Sequence, residues 1–239
     1  MIFDDYYQAL REIHEILQPR TYLEIGIRNG DAFRFSSRKT LSVGIDPNIK
    51  LNYAINPDSK MFNMTSDEFF CKYDLNEILN NCPVDLAFID GMHNFEFALR
   101  DFMNVEKYSR KRSFIILHDT IPKDEITASR VRQTTFWTGD VWKMILCLKE
   151  YRRDLQIYNI NIPPSGLCVI THLNPKSKAL LDNYEIISKK YMNMDYKNIM
   201  EMKDFKQNII EQKNVNFKVL FNHYNKYPIL SSLMNLFFQ

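Results

Sequence analysis

The stretch TYLEIGIRNGDAFRFSSRKTLSVGID, Thr21 to Asp46, decides the fold. Tyr22-Leu23-Glu24-Ile25 is a short, mostly apolar strand running into Gly26, with Gly30 four residues on. Ser42-Val43-Gly44-Ile45 is a second strand that stops at Asp46. The pattern predicts a strand, a glycine turn, a helix and a strand closing on a carboxylate. In an open α/β sheet, ligands sit beyond the carboxyl ends of such strands. Glycine at 26 and 30 lets the backbone pass close to a bound molecule, because no Cβ intervenes. A carboxylate at 46 would meet the vicinal hydroxyls of a ribose. The expected ligand is a nucleoside-containing cofactor.

The flanking chain continues the alternation. Tyr7, Leu10, Ile13, Ile16 and Leu17 recur at helical spacing over 3–18, and Pro19 ends that helix. A weak third strand covers 60–64, and Thr65-Ser66-Asp67-Glu68 reads as a helix start. Strands are expected at 85–90 (DLAFID) and 113–118 (SFIILH), the second ending at Asp119. Helices are expected over 91–108 and 139–151. The β-rich runs 155–162 and 167–173, joined by Pro163-Pro164-Ser165-Gly166, read as a hairpin. Strands alternating with helices imply a mostly parallel sheet with helices on both faces. The element order fits seven strands, the last inserted antiparallel. A nicotinamide-binding G-x-G-x-x-G turn would need glycine where Arg28 stands.

At 239 residues the chain is long enough for one large α/β domain. A net charge of +2 lacks the strongly basic footprint of a nucleic-acid binder. Cys71, Cys82, Cys147 and Cys168 show no paired spacing and read as buried, reduced thiols of a cytoplasmic protein. The acidic start MIFDDYYQAL lacks a signal peptide's basic region, and no apolar run reaches transmembrane length. All six glycines fall at or before Gly166, which suggests a body over 1–173 and a helical C-terminal extension over 174–239. The extension carries ten Lys against six Asp and Glu. Ile229, Leu230, Leu233 and Phe237 share one helical face there, suited to packing on the body or on a second copy in a homo-oligomer. That segment is short and lacks the basic face of a membrane-surface anchor.

The motifs resemble those of class I S-adenosylmethionine-dependent methyltransferases. Glu24–Gly30, EIGIRNG, is similar to their first motif. FIDGMHNFEFALRDF, from Phe88, followed by FIILHDT, from Phe114, resembles the branch with an F-I-D-G-x-H signature and an H-D after strand five. That branch includes O-methyltransferases of antibiotic and polysaccharide sugars, and it is similar to the metal-dependent catechol O-methyltransferases. The resemblance spans roughly residues 20–172. It implies a Rossmann-like fold, an S-adenosylmethionine (SAM) cofactor and a small-molecule or glycan acceptor. It places Glu24, Gly26 and Gly30 beside the methionine moiety, Asp46 on the ribose and Ser66 near the adenine. Asp90 also borders the cofactor. Asp90 and Asp119 fall at metal-ligand positions, with Mg2+ the expected ion, and His93 at the position of the catalytic base. Thr120 stands where the catechol group carries an amide ligand.

The residues suit that chemistry. Methyl transfer is an in-line displacement, and alignment alone reaches effective molarities of roughly 10⁵–10⁸ M. The remaining problem is the acceptor's proton. A free imidazole has a pKa of about 6.5, far below bulk water at about 15.7. A divalent cation would narrow that gap, and hard carboxylate oxygens suit Mg2+. Glu24 inside an apolar strand is costly to bury without a partner, which favours a functional role.

Other readings stand beside these. Asp90 and Asp46 also fit helix caps, and His93 a solvated helix-start residue. By strand alternation His118 should face away from Asp119 and have a supporting role. Glu96 and Asp101 fit solvated charges, and Arg110-Lys111-Arg112 a solvated turn. The loop over 120–137 suits a substrate lid. Asp140, Trp142 and Lys143 are substrate-contact candidates, though Asp140 equally fits the cap of the helix starting there, with Trp142 packed beneath. Arg130 and Arg132 suit an anionic acceptor. Two other functions compete: a non-catalytic nucleotide-binding scaffold that docks a partner through its tail, and an NAD-dependent enzyme, disfavoured by Arg28.

Overall fold

Every residue of β1 (Thr21–Ile25) is buried, because this strand lies in the middle of a sheet covered on both faces. The other strands are β2 (Leu41–Ile45), β3 (Lys60–Phe62), β4 (Val84–Ile89), β5 (Ser109–His118), β6 (Gln156–Asn161), β7 (Leu167–Thr171) and β8 (Ile209–Glu211). Their order is β3-β2-β1-β4-β5-β7-β6-β8. The first five are parallel, and β7 runs antiparallel between β5 and β6, as the hairpin at Gly166 predicts. The computed structural model describes residues 2–197, 205–206 and 208–226.

Among the described residues the helices are α1 (Tyr6–Leu17), α2 (Ser66–Lys72), α3 (Leu75–Ile78), α4 (Phe95–Lys107), α5 (Lys143–Tyr151), α6 (Ala179–Asp182), α7 (Tyr184–Met192) and α8 (Phe217–Lys226). Strand alternation sends Leu23, Ile25, Ile115 and Leu117 to one face, where Phe102, Met144 and Ile187 of α4, α5 and α7 cover them. Tyr22, Phe88, Phe114 and Ile116 point to the other face, under Leu10 of α1 and Phe221 of α8.

Two expectations change. Among the described residues the sheet has eight strands rather than seven, because Ile209–Glu211 pairs parallel with Asn159–Asn161. A three-residue strand is too short to show a period, so it read as part of the helical extension. The described part of 174–239 thus shares the sheet and both cores with the residues before it. The apolar end at 227–239, with Ile229, Leu230, Leu233 and Phe237, lies outside the described residues. Between β1 and β2 the expected helix is only a 3₁₀ turn, Phe33–Phe35. The glycine turn occupies the start of that link, and hydroxyls occupy its end. Thr40 Oγ1 donates to Pro19 O at 2.7 Å and lies 3.0 Å from Ser37 Oγ. Such local side-chain bonds compete with helix. Cys147 and Cys168 are buried as expected, but Cys71 is exposed. Among the described residues no helix is long and apolar enough to cross a membrane.

α1 carries a buried histidine. His14 packs edge-on against Tyr22 at 4.5 Å, and neither ring nitrogen has a hydrogen-bond partner. Burial lowers its pKa to about 4. The unfolded imidazole takes up a proton below about 6.5, where the folded one does not. Stability is therefore full above that pH and falls as the pH drops toward 4. Urea unfolding should show a loss of about 2 kcal/mol between pH 7 and pH 5 from this group. His14→Leu should reduce that pH dependence; an unchanged slope would exclude His14 as its source.

Candidate active site

The chain runs outward from β1 to β2 and β3, then returns to the other side of β1 as β4. This is the switch point at which open α/β sheets bind ligands. The two strand ends meet closely there. Asp90 N–H donates to Ile25 O, and Gly26 N–H to Ile45 O, each at 2.8 Å. Gly26 has φ +94°, and a Cβ on it would lie 2.1 Å from Asp90 O. Arg28 is left-handed too, at φ +40°. Its N–H donates to Asp46 Oδ2 at 2.9 Å, and Asn48 N–H donates to Asp46 Oδ1 at 2.7 Å. These bonds fix the Asp46 carboxylate at the end of β2.

A cavity of about 750 Å³ opens over these strand ends. Its lining includes Glu24, Gly26, Asp46, Ser66, Asp90 and His93, all singled out in the sequence. Gly30 is not on the lining; at φ +78° it closes the turn behind it, its N–H donating to Ile27 O at 2.7 Å. Ser66 opens α2 at the expected helix start, just after its N-cap, where Thr65 and Glu68 form a reciprocal capping box. Glu24 is 1% exposed and accepts from the Tyr22 hydroxyl at 2.5 Å. Burial pushes its carboxyl well above the usual range; the Tyr22 bond offsets only part of this, and the Asp90 charge adds to it.

Asp90, His93, His118 and Asp119 converge on one side of the cavity. His93 Nε2 lies 3.4 Å from Asp90 Oδ1, and His93 Nδ1 lies 3.1 Å from Asp119 Oδ2. His118 Nδ1 lies 3.1 Å from Asp90 Oδ1 and 3.5 Å from Asp119 Oδ2. This corrects the expectation that His118 faces away from Asp119. Alternation requires extended backbone, and Asp119 instead has φ +58°, which brings its side chain back beside its neighbour's. Burial disfavours a charged imidazole at both histidines. At His93 the Asp90 hydrogen bond and the Asp119 charge outweigh it, raising the pKa to about 9. At His118 the Asp90 and Asp119 charges raise it to about 10. Burial also disfavours the Asp90 carboxylate, but His118 and then His93 hold it below its usual range.

The donor set fits a divalent cation. Asp90, His93 and Asp119 each offer a ligand atom, all within 4.8 Å of one another. Thr120 adds none, since its hydroxyl donates to Asn159 Oδ1 at 2.7 Å within the sheet.

The substrate-contact candidates sit elsewhere. Asp140 and Trp142 are fully buried and Lys143 is 2% exposed, and none of the three lines the cavity. Asp140 does not cap its own helix. Its Oδ1 accepts Phe95 N–H at 2.6 Å, capping α4 from 45 residues away. Its Oδ2 accepts from Arg130 at 2.6 Å and Lys143 at 2.8 Å. Arg130, which also binds Glu96 at 2.7 Å, is thus engaged within the protein rather than open to an anionic acceptor. Glu96 and Asp101 are not solvated either: Glu96 is paired, and Asp101 is 2% exposed. Arg110 is paired with Asp85 at the extended start of β5. Trp142 packs with Ala128 and Phe205. Asp140→Ala would strand the buried Lys143 cation and uncap α4, and removing one partner of a buried ion pair costs about 3–5 kcal/mol. Thermal unfolding should show a large drop in Tm; an unchanged Tm would exclude this account.

The loop before Asp140 reaches the cavity instead. Arg132, Thr135, Phe136 and Trp137 line it; they belong to the loop over 120–137 that the sequence reading expected to cover the site, where it singled out Arg132 but not the other three. Trp137 stacks on His93 with ring centroids 5.3 Å apart, and its carbonyl lies 3.0 Å from His93 Nδ1. Tyr6 of α1 stacks on His118 at 3.9 Å and also lines the cavity.

Residues 23–120 match the family model of a methyltransferase domain. The match runs from β1 to the end of β5 and takes in Glu24, Gly26, Asp46, Asp90, His93 and Asp119. No curated protein sequence matches the chain. Among solved structures, the chain is similar to the O-methyltransferase TomG from Streptomyces achromogenes in complex with SAM. The TM-score is 0.55 at 14% identity, over 71% of this chain and 80% of that one. It is also similar to an O-methyltransferase from Bacillus cereus in complex with SAH, with TM-score 0.53 and 14% identity over 70% and 80% of the two chains. At such identities the likeness establishes the shared fold. The family match spans residues 23–120, and the cavity lies over the strand ends within that span, where open α/β sheets bind ligands.

Proposed function

We propose that the chain is a SAM-dependent O-methyltransferase, assisted by a divalent cation, that methylates a hydroxyl of a sugar or related small polar molecule. The observation that carries this is one cavity bordered both by Glu24, Gly26 and Asp46 and by Asp90, His93 and Asp119. SAM supplies an already activated methyl group. Glu24, buried and short of partners, suits the cofactor's ammonium; Asp46 suits its ribose and Ser66 its adenine. A cation on Asp90 and Asp119 would lower the pKa of an acceptor hydroxyl. His93 takes the proton. The two carboxylates that face it raise its pKa, and a cation held by them would offset that effect and favour a neutral imidazole able to accept the proton. Trp137, Tyr6 and Tyr7 offer flat faces to a sugar ring, and Arg132 a polar edge.

Calorimetry with S-adenosylhomocysteine, followed by a methyl-transfer assay over sugar and phenolic acceptors, tests the reading. Binding, turnover of a sugar, loss of turnover in EDTA and rescue by added divalent ion are the expected results. Full turnover in chelator would remove the cation. Binding without turnover of any acceptor would favour a non-catalytic scaffold, and absence of binding would overturn the reading.

A further inference from the structure

We infer that His118 Nδ1 is a ligand of the cation, which makes the site a mixed oxygen and nitrogen one that prefers a transition ion such as Mn2+ over Mg2+. This rests on the reading of Asp90 and Asp119 as the metal carboxylates. The geometry separates the two histidines. His118 presents one atom, Nδ1, to both carboxylates, at 3.1 Å from Asp90 Oδ1 and 3.5 Å from Asp119 Oδ2. Separations near these are what neighbouring ligands of a single small ion show when each is about 2.0–2.2 Å from it. His93 also offers an atom within 4.8 Å of both carboxylates, but its shortest contacts divide its nitrogens. Nε2 is turned to Asp90, while Nδ1 is shared between Asp119 and the Trp137 carbonyl.

The surroundings of His118 match those of a ligating imidazole. Metal-bound histidines hold their outer nitrogen with a hydrogen-bond partner, which fixes the tautomer and aims the inner lone pair. His118 Nε2 lies 3.2 Å from Ser165 Oγ. The Tyr6 ring, stacked at 3.9 Å, and burial to 7% exposure fix the ring plane. Ser165 sits in the β6–β7 turn, so the inserted hairpin contributes an outer partner that none of the carboxylate positions discloses. Carboxylates alone suit Mg2+, Ca2+ or Mn2+, whereas imidazole is a ligand of transition ions. One nitrogen among oxygens therefore moves the preference away from Mg2+.

The test uses the full chain with Mn2+ or Mg2+ alone. Calorimetry should show Mn2+ binding at least about tenfold more tightly than Mg2+, and pulsed electron paramagnetic resonance of bound Mn2+ should show coupling to a directly bound nitrogen. His118→Asp should abolish that coupling and narrow the Mn2+ preference, while His93→Gln should retain both. Ser165→Ala, which leaves His118 in place and guards against a misfolded His118 variant, should weaken Mn2+ by about 10–100-fold. Nitrogen coupling that is absent, or that survives His118→Asp and disappears in His93→Gln, would overturn the assignment. So would unchanged Mn2+ affinity in Ser165→Ala. If neither ion binds, the metal reading of Asp90 and Asp119 falls with it. S-adenosylhomocysteine binding, measured on the same samples, reports the cofactor site independently.

Discussion

Replacing His93 by alanine should lower kcat by about 10²–10⁴-fold while leaving S-adenosylhomocysteine affinity nearly unchanged, the range expected for loss of a positioned general base. His93 stands at the cavity wall, 24% exposed, with its ring plane set by Trp137 and its Nδ1 by the Trp137 carbonyl. It is within 3.4 Å of both carboxylates, so removing it leaves them in place for the cation. The pH profile adds a check, because the limb that reports the base should vanish in the variant. Retained turnover would exclude His93 as proton acceptor. Loss of cation binding in His93→Ala would make it a ligand instead and transfer the base role elsewhere.

Gly26→Ala should abolish measurable cofactor binding and destabilise the fold. At φ +94° any other residue is strained, and a new Cβ would stand 2.1 Å from Asp90 O. That contact is with backbone, which cannot rotate aside as a flexible side chain would. Strain of this kind costs about 1–3 kcal/mol before any displacement of β4. Moving the end of β4 would shift Asp90 as well, so the variant should lose both cofactor and cation affinity. With each 1.4 kcal/mol worth about tenfold, a loss of about 100-fold or more is expected by calorimetry. Near-normal binding by Gly26→Ala would show that the strand ends are not held this tightly in solution. Gly30→Ala should be milder, since a Cβ there meets the tip of the Leu51 side chain at 2.9 Å.

Much of the site was legible because its determinants are local. Glycines beside strand ends, a carboxylate closing β2 and the Asp90–His93 spacing are short-range patterns whose geometry follows from turn and strand rules. The residues misread were those whose partners lie far along the chain. Asp140 caps a helix 45 positions earlier, and no pattern around Asp140 carries that information. Lys143 sits buried because it shares Asp140 with Arg130, so its burial followed from an ion pair and not from hydropathy. Trp137 was passed over in favour of Trp142. Both tryptophans border the same loop, and only packing shows that Trp142 faces Phe205 while Trp137 covers His93.

The sequence by itself determined the alternating α/β order, the antiparallel hairpin insertion, the glycine turn between Glu24 and Asp46 that borders the cavity, and the placing of Asp90 and His93 beside it. These follow from periodicity and from the restricted backbone chemistry of glycine and proline, which act over a few residues. Only the tertiary structure decided that His118 joins the carboxylates, that Ile209–Glu211 completes the sheet and that Asp140 supports α4. Each depends on a contact between distant segments or on one left-handed residue, Asp119, whose φ overrides the strand's alternation. A period of two fixes where a side chain points only while the backbone stays extended. It ceases to do so at the end of β5, where the two histidines and two carboxylates converge.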